Sequence, residues 1–121
     1  VRCSGNGEHA FRAADLLIHG GGFGVVAMDL ADLPPAVARR IPAPYWFRFR
    51  RAVEDTPAVL LVLSSEPMTR SCASLLIAME PGRAVFRGKH PTRLLHTIDY
   101  TMNPRKPVRQ QQAEFTATFA G

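Results

Sequence analysis

The chain has 121 residues, of which 46% are hydrophobic, and this length predicts a single domain over residues 1–121, or a piece of one, rather than a multidomain enzyme. Lys and Arg outnumber Asp and Glu by 15 to 10, and the net charge of +5 favours acidic partners such as nucleic acid. The two cysteines, Cys3 and Cys72, indicate neither a zinc site nor a disulfide framework. No apolar stretch approaches about 18 residues and no secretion signal is recognisable, so we expect a cytoplasmic protein without membrane spans.

The first half of the chain predicts a helix followed by a buried strand. Apolar residues recur at helical spacing over Glu8–Ile18, with Asn6 as a potential cap and three glycines after His19. The segment Phe23–Leu33 then contains a short apolar run without polar alternation, which is typical of a parallel strand buried on both faces.

Asp29 is the first candidate for chemistry because it lies at the carboxyl end of this predicted strand. Open α/β sheets bind their ligands beyond those strand ends, and Mg²⁺ usually takes only one or two carboxylates and keeps several waters. Asp29 could therefore hold a magnesium-bound water beside a nucleotide. The alternative is that Asp29 only caps the following turn, which is a common role of aspartate.

The following segments predict a crossover to a second parallel strand. A short turn or helix is expected over Ala36–Arg40 and a longer helix over Tyr45–Glu54, both next to prolines. Ala58–Leu63 is again entirely apolar and predicts a strand parallel to the first.

The second half predicts antiparallel strands. The run Ala73–Met79 follows the second strand after a short polar loop, so we expect it to pair with that strand as in a hairpin. Pro81 and Gly82 are expected to turn the chain. Three further strands are expected, over Ala84–Arg87, Leu94–Tyr100 and Glu114–Phe119.

The run from Tyr45 to Arg51 combines aromatic and basic residues and has two interpretations. Its aromatic side chains could stack on bases while its arginines bind phosphates. The same spacing also gives an ordinary helix, with Trp46 and Phe49 facing the core and Arg48 and Arg51 facing solvent.

In this order of elements, the chain resembles the carboxyl-terminal half of the RecA-type ATPase core. The segment Glu8–Leu33 is similar to that family's helix and Walker B strand, and Gln112-Ala113-Glu114-Phe115 resembles its Lys-Gln-Ala-Glu-Phe strand. The short loops are most similar to the RecA-like accessory proteins of damage-inducible mutagenesis, the ImuA group. The resemblance implies a partial RecA-like α/β core, with parallel strands and flanking helices followed by antiparallel hairpin strands.

The resemblance also implies roles for individual residues. Asp29 matches the Walker B aspartate, which organises magnesium and its water. Arg105, or Lys106 if the register shifts by one, matches a basic residue that reaches the nucleotide of a neighbouring subunit, where it would act as an arginine finger does. The segments Ala31–Tyr45 and Ser65–Ser71 correspond to two DNA-binding loops, both short here. The candidate nucleic-acid contacts in and around these segments are Arg39, Arg40, Arg48, Arg51 and Arg70.

Two departures from the family pattern bear on activity. Ser65 lies where the family has a glutamine that couples nucleotide state to the DNA loops. The sequence also contains no Gly-x-x-x-x-Gly-Lys-Ser/Thr motif: five residues instead of four separate Gly82 from Gly88, and His90 follows Lys89. The resemblance implies that this loop and the catalytic glutamate would precede Val1. We therefore expect ATP and Mg²⁺ to be cofactors of the parent protein, with neither ATP binding nor ATP hydrolysis by these 121 residues alone.

Two functional hypotheses follow from the sequence. The first is a RecA-like domain of a DNA repair, recombination or translesion-mutagenesis protein that binds ATP and single-stranded DNA in its parent protein. The second is a non-catalytic interaction module that uses the same fold to bind an error-prone polymerase-like protein or a second copy of itself. An incomplete sheet with a bare edge and exposed apolar surface would favour self-association.

Overall fold

A computed structural model describes Cys3, residues 5–107 and residues 112–120. The described residues form two compact units, one within Val1–Ala73 and the other within Ser74–Gly121. These residues form a mixed α/β structure that contains a two-stranded parallel sheet and a separate three-stranded antiparallel sheet. None of the helices in the described ranges is long and apolar enough to cross a membrane.

The first unit alternates helices with two parallel strands. Strands β1 and β2 pair in parallel, from Val25 opposite Val59 to Asp29 opposite Leu63. This pairing confirms the predicted parallel neighbours. In chain order the elements are α1 (Gly7–Gly20), β1 (Val25–Asp29), α2 (Pro35–Ala38), α3 (Ala43–Glu54), β2 (Val59–Leu63) and a 3-10 helix (Arg70–Cys72).

The helix boundaries follow from capping and from proline. Asn6 caps α1, since its side-chain oxygen accepts the backbone N–H of His9 at 3.2 Å. The helix ends at Gly21, whose φ of 68° lies in the left-handed region that glycine adopts without steric cost. Both α2 and α3 begin with proline in the first turn, where the missing N–H would have no partner within the helix.

The core of the first unit lies between its helices and one face of its sheet. Phe11 of α1 packs against Trp46 and Phe49 of α3, with ring centroids 5.1 and 5.6 Å apart. Val26 and Met28 of β1 are buried in the same cluster. The predicted division of α3 is therefore confirmed: Trp46 and Phe49 belong to the core, so these two rings are not a platform for bases.

The prediction that the parallel strands are buried on both faces is wrong. Residues of β1 alternate between exposed and buried, and those of β2 alternate between exposed and half-buried. Val25 is 60% exposed and Leu61 46% exposed, on the face opposite Val26 and Met28. The physical reason is that, among the described elements, α1 and α3 pack together on the Val26 and Met28 side. An all-apolar strand sequence cannot reveal that only one face is covered.

The second unit is an antiparallel sheet in the order β3-β4-β5. Its strands are β3 (Leu76–Arg87), β4 (Leu94–Lys106) and β5 (Ala113–Thr118). Leu76 pairs with Lys106 and Arg87 with Leu94, so β3 and β4 form a long hairpin. Strand β5 covers only the part of β4 from Thr97 to Met102.

Two predictions for this half are corrected. The run Ala73–Met79 does not pair with β2; its strand part belongs to β3 and pairs with β4. Pro81 and Gly82 do not turn the chain but lie within β3, where the register with β4 shifts between Pro81 and Ala84. Proline cannot donate to the ladder, and a strand tolerates it at such an irregularity, so the proline interrupts the pairing without ending the strand.

Candidate functional site at the ends of the parallel strands

Asp29 is the last residue of β1 and lies directly opposite Leu63, the last residue of parallel β2. The backbone N–H of Leu30 donates to the carbonyl of Leu63 at 2.8 Å, which holds the two strand ends together. Asp29 is exposed. The fold thus places an accessible carboxylate at the carboxyl edge of a parallel sheet, where α/β proteins bind ligands.

The side chain of Asp29 also fixes the turn that follows. Its Oδ1 accepts the backbone N–H of Ala31 at 3.0 Å, an Asx-type turn. The capping alternative is therefore confirmed as a structural role. Within the described part of the chain, Oδ2 has no hydrogen-bond partner, so the carboxylate keeps an oxygen that a cation or its water could approach.

The residues present fit a magnesium ion held through its water shell. The described residues contain no group of three or more His, Cys, Asp or Glu side chains that could cage a metal. A single carboxylate is nevertheless compatible with Mg²⁺, which usually takes one or two carboxylates together with waters and substrate phosphates. Asp29 is the residue that would provide that contact.

The two segments that the family resemblance compares with DNA-binding loops are joined by an ion pair. Arg39, just after α2, lies with its Nη2 3.3 Å from Oε1 of Glu66. Beside it, the hydroxyl of Ser64 donates to the carbonyl of Glu66 at 2.7 Å, which closes the turn after β2. Both segments follow the carboxyl ends of the parallel strands, so Arg39 lies on the edge where Asp29 ends β1.

The other arginines predicted to contact nucleic acid have different surroundings. Arg48 donates from Nη2 to Oδ2 of Asp15 at 2.5 Å, which ties α3 to α1. Arg70 opens the 3-10 helix with a φ of 45°, an uncommon conformation for a residue other than glycine. Arg40 and Arg51 are exposed, as are the other three. The structure therefore gives Arg48 a structural role and brings Arg39 to the strand-end edge.

Arg105 and Lys106 are the last two residues of β4, in the second unit. Their contacts are therefore given within that unit only. Arg105 is exposed, and its Nη2 is 3.6 Å from Oε1 of Glu80 on β3. Asn103 donates to the same Glu80 oxygen at 2.9 Å. Glu80 thus partly neutralises the charge of Arg105. The ion pair is long and solvent-accessible, so another anion can readily replace the carboxylate.

The cations around the β3–β4 turn are not among the residues predicted from the sequence. Arg87, Lys89 and Arg93 are exposed and lie within one hairpin end. The signal that could have found them is the absence of any Asp or Glu between Glu80 and Asp99.

Comparisons of this chain with protein-family models, with curated proteins and with solved structures find no match.

Proposed function

We propose that the chain is part of a RecA-like core of a cytoplasmic protein of DNA repair or damage-inducible mutagenesis. In this proposal the protein binds ATP and Mg²⁺ and contacts single-stranded DNA. The observation that carries the proposal is the position of Asp29 at the end of β1, in register with Leu63 of parallel β2. The order helix, strand, crossover helices and parallel strand supports it, because this is the arrangement in which a strand-end aspartate faces a nucleotide site.

The proposed role of Asp29 is to orient a magnesium-bound water. The hydrogen bond from Ala31 N–H to Oδ1 restrains the carboxylate and its rotamer, so the other oxygen is held in place for that water. Magnesium would neutralise phosphate charge on the nucleotide.

The proposed role of Arg105, with Lys106 as the adjacent alternative, is to contact a phosphate of a nucleotide held by a neighbouring subunit. Arg105 is exposed and pairs with Glu80 only across 3.6 Å. A phosphate could replace this carboxylate, because a guanidinium binds phosphate oxygens with two parallel hydrogen bonds.

The DNA-binding part of the proposal is tested by titrating the chain with a fluorescein-labelled oligothymidylate of about 20 nucleotides and following fluorescence anisotropy. We expect binding that weakens steeply as salt rises from about 50 to 200 mM, because phosphate contacts release counterions. An absent or salt-independent response would contradict it. Arg39→Ala/Arg40→Ala tests the strand-end segments as the contact surface, with Arg12→Glu as a control that lowers the net charge by the same two units elsewhere.

One observation favours the second candidate function, a module that associates with itself. The open face of the parallel sheet presents Val25, Val59, Leu61 and Leu63, all about half exposed, with Asp29 as the one charged residue at its end. A second copy of the same face would match this uncharged aliphatic surface, as in a two-fold dimer.

Light scattering coupled to size-exclusion chromatography tests this candidate. We expect a dimer that Leu61→Lys converts to a monomer, since a buried charge opposes the association. Leu16→Lys introduces the same charge at an exposed position of α1 and should leave the dimer intact. A monomeric unmodified chain would contradict self-association.

A further inference from the structure

The β3–β4 hairpin carries an unusual concentration of positive charge. Between Glu80 and Asp99 the sequence contains no acidic residue. The basic residues of this stretch are Arg83, Arg87, Lys89 and Arg93, together with His90 and His96. Several positive charges on one hairpin, with no negative charge between them, produce a local positive potential. This potential does not depend on charges elsewhere in the chain.

The fold concentrates part of this charge at a projecting end. Arg87 and Leu94 form the last pair of the hairpin, and residues 88–93 close it. Strand β5 pairs with β4 only from Met102 to Thr97, so the last pairs of the hairpin extend beyond the three-stranded part of the sheet. Arg87, Lys89 and Arg93 are all exposed there. We call Phe86–Leu94 the hairpin tip.

The turn at the hairpin tip has a defined shape. Gly88 has a φ of 104°, and a Cβ at this position would lie 2.7 Å from the carbonyl oxygen of Thr92. The carbonyl of Lys89 accepts both the backbone N–H and the hydroxyl of Thr92, at 2.8 and 3.0 Å. The basic residues on this turn are therefore presented by an ordered backbone, which lowers the entropy lost when they bind a ligand.

An exposed aromatic ring lies beside one of these cations. The ring of Phe86 is 48% exposed, and the guanidinium of Arg93 lies over it, 5.8 Å from the centroid. The contact holds the guanidinium beside the ring. A ring of this kind can stack on a base while adjacent cations contact the backbone phosphates.

The cations of the hairpin tip are also not engaged by acidic groups. In the part of the chain that the structure describes, Arg87, Lys89 and Arg93 form no ion pair, whereas Arg12, Arg39 and Arg48 each pair with a carboxylate. A phosphate that binds to the tip therefore displaces none of the carboxylates in the described residues. Among the residues that the family resemblance favours, Arg39, Arg48 and Arg105 do have such a carboxylate partner.

We propose that the hairpin tip binds single-stranded nucleic acid, with Arg87, Lys89 and Arg93 on phosphates and Phe86 stacked on a base. This inference rests on the DNA-binding part of the proposed function and names the surface that performs it. A single strand fits better than a duplex because Phe86 can stack only on an unpaired base.

The first test compares Lys89→Ala/Arg93→Ala with the control Arg12→Glu, in the complete chain and with the same labelled oligothymidylate. Each variant lowers the net charge by two, and circular dichroism verifies that each keeps the fold. We expect the tip variant to bind about tenfold more weakly or worse at low salt, and its salt slope to fall by about 1.4, since each lost phosphate contact reduces it by about 0.7. The control should match the unmodified chain.

The second test uses Phe86→Leu, which keeps an apolar side chain and removes the aromatic face. We expect at least about fivefold weaker binding with an unchanged salt slope, because stacking contributes without releasing counterions. Two results together would show that the inference is wrong: Phe86→Leu has no effect, and Lys89→Ala/Arg93→Ala weakens the binding of heparin as much as that of oligothymidylate. The hairpin tip would then be a general polyanion site. Equal affinity for a duplex, again insensitive to Phe86→Leu, would also overturn the inference.

The outcomes separate this inference from the proposed function. No binding by the unmodified chain would contradict both the inference and the DNA-binding part of the proposal. Binding that is lost in Arg39→Ala/Arg40→Ala but retained in Lys89→Ala/Arg93→Ala would contradict the inference alone.

Discussion

At the scale of single residues, Asp29 combines a structural and a candidate chemical role. One carboxylate oxygen accepts the N–H of Ala31 and shapes the turn after β1. The same residue ends the strand beside Leu63, on the edge where open α/β sheets bind their ligands. The two roles use different properties, because the turn needs an acceptor atom whereas magnesium needs negative charge.

This separation gives the first prediction. Asp29→Asn keeps the Oδ1 acceptor and should change the free energy of unfolding by less than about 0.5 kcal/mol, whereas Asp29→Ala loses the hydrogen bond and should cost about 0.5 to 1.5 kcal/mol. Urea unfolding followed by the fluorescence of Trp46, the only tryptophan, measures both. Equal destabilisation by the two variants would show that the Ala31 hydrogen bond is not what the Asp29 side chain contributes to stability.

At the scale of elements, the two long helices were predictable because their apolar spacing, caps and prolines all indicate the same segments. The expected Glu8–Ile18 and Tyr45–Glu54 lie inside the observed α1 and α3. The spacing also placed Trp46 and Phe49 on the buried side of α3. Helical periodicity identifies a face directly, since only one stripe of such a helix can meet the core.

The aromatic contact between these helices gives the second prediction. Phe11 is 7% exposed and lies against Tyr45, Trp46 and Phe49, with ring centroids 5.1 to 5.6 Å apart. Phe11→Ala should lower the free energy of unfolding by about 3 to 5 kcal/mol, through lost burial and the cavity left behind.

Leu16→Ala on the same helix provides the matched control. Leu16 is 74% exposed, so its truncation should cost less than about 0.5 kcal/mol. Urea unfolding of both variants makes the comparison, and Phe11→Leu replaces Phe11→Ala if the alanine variant does not fold. Similar losses at positions 11 and 16 would contradict the assignment of Phe11 to the core.

Strands were less predictable than helices. An entirely apolar strand gives no alternation from which to identify its covered face, so the exposed side of β1 and β2 was missed. The long strand β3 was divided into two because Pro81 and Gly82 are typical of turns. Pairing with β4 on both sides of this dipeptide overrides the local preference.

At the scale of the whole molecule, the third prediction concerns catalysis. The sequence contains no phosphate-binding motif, so the 121 residues offer no lysine and amide cradle of that type for ATP. We expect the purified chain to release no phosphate from Mg-ATP above background in a coupled assay. Turnover that Asp29→Ala abolishes and Arg12→Ala leaves intact would contradict this expectation.

The sequence by itself determined the order of the helices and parallel strands of the first unit, the parallel pair with Asp29 at its end, and the buried side of α3. These features follow from local spacing, from capping residues and from the rule that a helical crossover joins parallel strands. Only the tertiary structure decided that β3 pairs with β4 instead of β2, that one face of the parallel sheet is open, and that Arg48 pairs with Asp15. It also brought Phe86 and Arg93 together at the hairpin tip. Such contacts join residues that are distant in sequence, and local patterns do not specify which of several compatible partners a strand or side chain meets.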